Sequence, residues 1–355
     1  MRILITGVCG FVGSALAESL LERLEGLNIT GVDNLMRPGS ETNRIRLERL
    51  GVKFMHADLR AASDVLDIPD CDWVIDAAAN PSVLAGLSGK GSSRRLFENN
   101  LSTLGNVLEY CRERNAGLLL LSSSRVYSIP ALAALPLAVK NHAYTLDLNA
   151  GLPSGISAHG IAVEMSTAPP ISLYGATKLA SEIMALEYAS AFGFPIWITR
   201  CGVLAGAGQF GTPGQGIFAF WLNAHLRRRR LRYIGFHGTG YQARDAFHPR
   251  DLAALLVSQM TASRSDGPRI YTAGGGPSNT MSLAQLTAWC DERFGRHLAD
   301  ADLQSRVYDI PWVVMDSREA GNDFGWRIEV PLPAILDEIA VHAENHPDWL
   351  EVSCA

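Results

Sequence analysis

The 355-residue sequence has little of what marks a metalloprotein, a disulfide scaffold or a membrane protein. Its six cysteines, Cys9, Cys71, Cys111, Cys201, Cys290 and Cys354, are scattered, with no CxxC pair and no cysteine–histidine cluster. That spacing supports neither a metal centre nor a disulfide framework. No apolar run is long enough to cross a bilayer, and strand-like sequence begins at Arg2. Neither a signal peptide nor an anchor is therefore read, and the cytoplasm is the expected compartment. Excess positive charge is also missing: a formal net charge of −5 argues against nucleic acid or an anionic membrane as the main partner. The one basic run, Arg227–Arg230, closes the amphipathic stretch GIFAFWLNAHLRRRR. It reads as a solvated helix end, where cations suit the dipole, ahead of a phosphate contact.

What is present is the balance of a soluble globular chain, 47% hydrophobic and 19% charged. In the first half, the β-rich runs RILIT, NITGVD, VKFMHAD, DWVIDAA and GLLLLSS alternate with the helical patterns FVGSALAESLLERL and RRLFENNLSTLGNVLEYCRER. Such alternation predicts an α/β fold, a doubly wound parallel sheet of Rossmann type with helices on both faces. A further helix, YGATKLASEIMALEYASAFG, leads into the strand PIWITR. Beyond Arg200 the regularity breaks. CGVLAGAGQFGTPGQG reads as loop, followed by a strand RYIGF, a helix from Pro249, a strand RIYTAGGG, and the helices MSLAQLTAWCDERF and PAILDEIAVHAENH, the latter closing the chain. The stretch Ser128–Ser172 has little periodicity, and a loop of that length is usually functional.

TGVCGFVG, residues 6–13, places Gly7, Gly10 and Gly13 between the first strand and the first helix, with Phe11 and Val12 opening that helix. Asp33 ends the second strand about 20 residues further on, the spacing of a dinucleotide-binding unit. Glycine there permits a tight turn, lets backbone approach a pyrophosphate, and lets the helix pack closely on the sheet. The helix N-terminus then offers unpaired N–H groups to the phosphates. A carboxylate at Asp33 accepts from ribose hydroxyls and repels a 2′-phosphate, favouring NAD over NADP. Asp58 in HADLR follows the third strand, either accepting from the adenine amino group or standing as a solvated strand-end acid.

Tyr174 and Lys178 form Y-x-x-x-K on one face of a helix start. An ammonium beside a phenol stabilises the phenolate and makes tyrosine a usable proton acceptor near neutrality. LSSSRVY, residues 121–127, ends a buried strand whose C-terminal residues a parallel sheet delivers to the cofactor cleft. A serine there can hydrogen-bond the hydroxyl that the tyrosine deprotonates.

Together these residues resemble an extended short-chain dehydrogenase/reductase of the NAD-dependent nucleotide-sugar epimerase/dehydratase type. The resemblance spans nearly the whole chain: the glycine motif and Asp33, DAAANPSV, NLSTLGNVLE, SSSRVY, Y-x-x-x-K, GYQARDAFHPRDLA and DFGWR. It implies Ser123, Tyr174 and Lys178 as catalytic residues, Asn100 as a cofactor support, and Asn80 in the loop facing the nicotinamide ribose. It extends the cofactor bed to Asn34, Leu59, Ala78 and Cys201, and it makes Arg244 the arginine that grips a substrate diphosphate with its planar fork. Ser124 and Arg125 stand where family members that eliminate water or carboxylate carry acids, so elimination is disfavoured and these two residues face substrate instead. Gln209, Gln215 and Asn279 complete the expected substrate contacts. Glutamines in glycine loops often satisfy backbone groups, Asn279 could cap the following helix, and Arg244–Asp245 could be a structural ion pair.

DNLMRPGS, GQFGTPGQGIF and TAGGGPSNTMSL are similar to the branch of CDP-paratose 2-epimerases (CDP-tyvelose epimerases). The implied activity is an isomerase that holds NAD tightly, oxidises a sugar hydroxyl to a ketone and returns the hydride to the opposite face, at C2 of a CDP-sugar. A C4-epimerase or a dehydrogenase that releases its oxidised product is the alternative. A non-catalytic NAD-binding regulator would need no proton acceptor. The resemblance also implies residues 1–200 as an NAD-binding domain with 242–262 returning to it, and 201–241 with 263–355 as a smaller substrate-binding domain. It further implies a homodimer or homotetramer, with the segment 142–172 shaping the sugar's pose.

Overall fold

Short apolar runs bounded by turn residues become one seven-stranded parallel sheet in the computed structural model, which describes residues 1–87, 89, 91–262, 267 and 269–354. The strands are β1 (Arg2–Thr6), β2 (Asn28–Asp33), β3 (Lys53–His56), β4 (Trp73–Asp76), β5 (Gly117–Ser123), β6 (Ile196–Cys201) and β7 (Ile270–Ala273). Their order across the sheet is β7-β6-β5-β4-β1-β2-β3, every neighbour parallel. Strands covered on both faces read as continuous apolar sequence rather than alternation, as LLLL of β5 does. Leu119 and Leu121 pack with Ile3, Ile5, Trp197 and the helices Phe11–Arg23 and Pro249–Thr261. Leu118 and Leu120 point the other way, onto Val74, Ile198 and the helices Thr103–Arg114 and Ser172–Phe192. The strand order reverses between β1 and β4, and a parallel sheet opens its ligand crevice at the carboxyl ends of such a switch point. The doubly wound Rossmann-type fold is therefore present.

The expected domain division needs one correction. Residues 270–273 do not belong with the C-terminal unit: β7 joins the central sheet, pairing Ile198 with Ile270 through Cys201 with Ala273. A strand four residues long carries too little sequence to show which of two sheets it will join. The second assembly is a four-stranded mixed sheet of Val203–Leu204, Ala243–Phe247, Thr280–Ser282 and Trp312–Val313, with Leu231–Ile234 paired to Ala299–Asp302 beside it. Helices Ile217–Leu226, Leu283–Phe294 and Leu332–Asn345 enclose a core of Phe218, Trp221, Leu222, Leu286, Ile335 and Ile339. The chain does not close on Leu332–Asn345. A further helix, Trp349–Cys354, adds Leu350 to this core, and its Trp349 indole N–H donates to the Gln209 carbonyl at 2.9 Å.

Residues 128–172 are not an irregular loop. They hold a helix, Ile129–Ala133, and two small hairpins, Leu137–Lys140 with Ala143–Leu146 and Ile156–Ser157 with Gly160–Ile161. Strands of two to four residues fall below the length at which periodicity is visible. The segment docks on the second assembly: Ile161 N–H donates to the Val314 carbonyl at 2.8 Å, and Asp316 N–H returns a bond to Ile161 at 3.0 Å. Ile156, Ile161 and Leu146 share a core with Tyr127, Trp312 and Met315. No helix among the described residues is long and apolar enough to cross a membrane.

One buried ion pair ties three of these parts together. Glu182, on the helix Ser172–Phe192, takes two bonds from Arg200 of β6, Nη2 to Oε2 at 2.7 Å and Nε to Oε1 at 3.0 Å. Ser122 Oγ donates to the same carboxylate at 2.5 Å, and Arg200 Nη1 reaches the Val163 carbonyl at 3.0 Å. Removing one partner leaves a charge in the interior, so Glu182→Ala is expected to lower the unfolding free energy by about 3–5 kcal/mol. The double variant Glu182→Leu/Arg200→Met should lose clearly less. Urea unfolding of the three proteins checks the order.

Candidate active site

The Gly7–Gly13 turn begins the site because its geometry excludes side chains. Gly7 adopts φ +62°, and a Cβ on Gly13 would run into the Gly7 carbonyl oxygen and stand 2.8 Å from Val8 Cα. The helix Phe11–Arg23 starts at Gly10 with no side-chain cap, so its first N–H groups face outward unpaired by the chain's own side chains. A bare backbone cradle at an uncapped helix start fits a pyrophosphate. Gly7, Gly10, Phe11, Val12 and Gly13 all line a cavity of about 470 Å3 at the carboxyl ends of β1, β4, β5 and β6.

Asp33 closes β2 beside this turn. Its carboxylate accepts from Cys9 N–H at 3.0 Å and Leu35 N–H at 2.8 Å, while burial pushes its pKa above the ordinary value. Asp33, Asn34, Asp58, Leu59, Ala78, Asn80 and Asn100 lie outside the cavity lining. Asp58 is gripped by Arg60, with Nη2 at 2.5 Å, which holds its pKa below the usual range. Asn34 Oδ1 accepts from Met36 N–H, the Leu59 carbonyl accepts from Asn106, and Ala78 N–H donates to Thr6 Oγ1. Asn100 is buried in a single turn of π-helix, Glu98–Ser102. Its Oδ1 accepts from Asn80 N–H at 2.9 Å and its Nδ2 donates to Thr177 Oγ1 at 3.0 Å, joining the loop after β4 to the Tyr174 helix.

Ser123, Tyr174 and Lys178 line the same cavity. The helix carrying the last two is seated by Ser172, whose Oγ accepts from Gly175 N–H at 3.1 Å. A Cβ on Gly175 would strike the Arg125 carbonyl oxygen, so the helix start rests directly on the Ser123–Arg125 turn. Ser123 Oγ accepts from Arg125 N–H at 3.2 Å, and Lys178 Nζ donates to the Leu121 carbonyl at 2.9 Å. Tyr174 and Lys178 are 7% and 6% exposed, so both side chains are largely shielded from bulk water. Cys201, opposite Ser123 in the strand register, also lines it; burial pushes its thiol up to about 12, leaving it protonated and inert.

The structure also brings Ser124 and Arg125, next to Ser123, and Gln209, Gln215 and Arg244, on the far wall, to the cavity. Asn279 is not among them. Its amide donates to the Val330 carbonyl and accepts from Leu332 N–H, both at 2.9 Å, which satisfies the start of helix Leu332–Asn345. Ser282, not Asn279, caps the helix Leu283–Phe294, through a capping box with Gln285. Arg244 pairs with Asp309 at 3.3 Å rather than with Asp245. Asp245 turns into the protein interior and accepts from Gly276 and Met315 N–H groups.

Two further expectations change. No residue of 142–172 lines the cavity; the segment braces the back of the Val126–Tyr127 turn instead. The run Arg227–Arg230 is not simply a solvated helix end. Arg228 donates to the carbonyls of Phe294, Gly295 and Arg296, Arg229 pairs with Glu351, and Arg230 lines the cavity while pairing with Asp300 at 2.9 Å. Sequence reasoning missed Arg37, Arg232, Arg306, Tyr308 and Asp309, also in the lining. Arg37 lies in the quoted DNLMRPGS, whereas QSRVYD around Arg306 carries no pattern. Among the described residues the lining holds seven cationic side chains (Arg37, Arg125, Lys178, Arg230, Arg232, Arg244, Arg306) against one carboxylate, Asp309. A pocket so biased selects an anion. Burial and the neighbouring Arg244 and Arg306 push the Arg125 guanidinium down to about 10.

The pattern of the NAD dependent epimerase/dehydratase family matches residues 3–274. The CDP-paratose 2-epimerase of Salmonella typhi is 26% identical over 340 residues, covering 93% of this chain and 95% of that protein. The UDP-glucuronate 4-epimerase of Thermodesulfobacterium geofontis is 25% identical, covering 93% and 92%. The fold is shared with the crystal structure of UDP-glucose 4-epimerase from Bifidobacterium longum in complex with NAD+ and UDP, at TM-score 0.78 and 20% identity over 98% of this chain and 100% of that one.

Asp245 gives the stability of the fold a pH signature. Burial raises its pKa from 3.8 to about 6, and among the described residues its Oδ1 has no hydrogen-bond partner. The folded state therefore binds this proton more tightly than the unfolded state, and the associated stability, about 3 kcal/mol, is lost as pH rises from about 4 through 6. Asp245→Asn should flatten that part of the stability–pH curve in denaturant titrations across the range.

Proposed function

This chain belongs to the NAD dependent epimerase/dehydratase family, and we propose that it is a nucleotide-sugar epimerase, oxidising a sugar hydroxyl to a ketone and returning the hydride to the opposite face. The observation that carries this reading is one cavity shared by Ser123, Tyr174 and Lys178 at the strand ends and by an arginine cluster on the far wall. Bound NAD supplies the hydride acceptor and donor. Tyr174 takes the proton from the sugar hydroxyl and gives it back after inversion. Ser123, whose Oγ already accepts from the Arg125 amide, keeps its own hydrogen free to donate to the same sugar oxygen. Lys178, aimed by the Leu121 carbonyl, favours the phenolate and holds the ribose. The Gly7–Gly13 backbone binds the pyrophosphate, Asp33 takes the adenosine ribose, and Asn100 fixes the loop at Asn80.

Ser124 and Arg125 supply no carboxylate next to Ser123, which favours simple hydride removal and return over elimination. The similarity of DNLMRPGS, GQFGTPGQGIF and TAGGGPSNTMSL to CDP-paratose 2-epimerases supports C2 of a CDP-sugar as the site of inversion, with a C4 position the competing reading. The central sheet and the helix Pro249–Thr261 then hold the cofactor, and the second assembly holds the nucleotide sugar. A homodimer fits the exposed apolar side chains Phe97, Leu173, Ile183 and Met184 on helices Ser92–Phe97 and Ser172–Phe192. Ile183→Glu should then convert a dimer to monomer in light scattering.

The decisive experiment denatures the purified protein and identifies released nucleotides by mass spectrometry, alongside turnover assays on CDP- and UDP-sugars. NAD near one per chain with epimerised product is the expected result. Net NADH and a released oxidised sugar would replace it with the dehydrogenase reading. Tyr174→Phe should cut turnover by ~10²–10⁴-fold while NAD stays bound; unchanged turnover would remove tyrosine from the acid/base role.

A further inference from the structure

The arginine nearest the reacting end of the cavity, Arg125, is not paired as three of the others are. Arg230, Arg232 and Arg244 each hold an aspartate, Asp300, Asp302 and Asp309. Arg125 forms no ion pair among the described residues; its Nη1 donates to the Tyr308 carbonyl at 3.2 Å. Arg306 likewise only donates, to the Pro213 carbonyl at 2.7 Å. The partners of Arg125 and Arg244 are consecutive: Tyr308 holds the first guanidinium, Asp309 and Ile310 the second. Three guanidiniums thus gather around the segment 306–310 with one carboxylate between them, a net charge of +2 that matches a diphosphate.

Arg125 reaches this cluster from the end of β5, whereas Arg244 and Arg306 belong to the second assembly. The Arg125 backbone is part of the reacting turn, because its amide holds Ser123 Oγ and its carbonyl abuts Gly175, the neighbour of Tyr174. One side chain therefore runs from the point where the sugar hydroxyl reacts to the point where the phosphates sit. We propose that Arg125 is a specificity-determining residue that binds the sugar-side phosphate of the diphosphate, so that the enzyme distinguishes sugar nucleotides with two bridging phosphates from those with one. This rests on the reading of the cavity as a nucleotide-sugar site. Arg244 and Arg306 take the nucleoside-side phosphate, and Asp309 keeps the three cations from repelling one another when no ligand is bound.

The test measures binding of CDP, CMP, UDP and UMP to the NAD-loaded full-length protein by isothermal titration calorimetry. Wild type is compared with Arg125→Ala, Arg125→Gln, which retains a donor for the Tyr308 carbonyl, and Arg125→Lys. NAD content per chain and melting temperature are checked for each variant. Both neutral variants should weaken the diphosphates by about tenfold or more and leave the monophosphates within about twofold, with lysine in between because it cannot fork. Equal weakening of mono- and diphosphates, no weakening, or a wild type that does not prefer diphosphates would each overturn the proposal. A wild type that prefers diphosphates but forms no epimer from any CDP- or UDP-sugar would instead remove the epimerase reading, and the binding comparison would still decide the role of Arg125.

Discussion

The site depends first on the buried pairing of Glu182 with Arg200. Glu182 lies one helical turn beyond Lys178, so its position sets the rotation of the helix that carries Tyr174. Arg200 belongs to β6, and Ser122, the third partner, immediately precedes Ser123 on β5. The same guanidinium lies over the Tyr127 ring and bonds the Val163 carbonyl. One interaction therefore fixes a strand end, a helix face, the following turn and the inserted hairpin segment against each other. An ion pair in a dry interior tolerates little displacement, because its desolvation is offset only when geometry is good. That intolerance suits a reaction whose proton donor, proton acceptor and cofactor must meet within hydrogen-bond distances.

Gly175 shows the same constraint from the packing side. The helix could not start so close to the Ser123–Arg125 turn with any side chain at that position. Asn100 adds a polar stitch to Thr177 from a π-helical turn, a local irregularity that brings an amide to a place a regular helix would miss. Helix rotation, helix depth and the facing loop are thus held by separate contacts: a charge pair, a steric limit and an amide.

The turn proposed to hold the cofactor was legible in the sequence because its shape is set by backbone. A strand, a glycine turn and a helix start leave a spacing pattern, and a short acid-terminated strand follows at a fixed interval, so Gly7, Gly10, Gly13 and Asp33 could be placed by counting. The continuous apolar runs of β1 and β5 showed burial on both faces for the same reason. The substrate half was only partly legible. Arg125 and Arg244 stood in recognisable stretches, but Arg306, Tyr308 and Asp309 reach the cavity through a loop whose course depends on tertiary contacts. Asn279 failed in the instructive direction: a buried amide after a glycine run looked like a ligand contact, yet two backbone groups 51 and 53 residues away claimed it. Strands of two to four residues in 137–161 leave no periodic trace, so the segment's docking against Val314 and Asp316 could not be read either.

Inversion of a sugar centre places a demand that this division of labour meets. The ketone must present first one face and then the other to the same nicotinamide, so the molecule needs a firm hold somewhere other than on the ring. In the proposed reaction the arginines of the cavity would supply such a hold, because a diphosphate offers several equivalent oxygens to forked donors and the sugar beyond it can turn about single bonds. The wall nearest the strand ends is small: Ala77 and Ala79 follow β4, and Gly202 follows β6 beside Ser123. Room at the reacting end and grip at the other are opposite requirements. The fold separates them by giving the first to small residues at the ends of sheet strands and most of the second to Arg244 and Arg306 of the added assembly, with Arg125 joining the two ends.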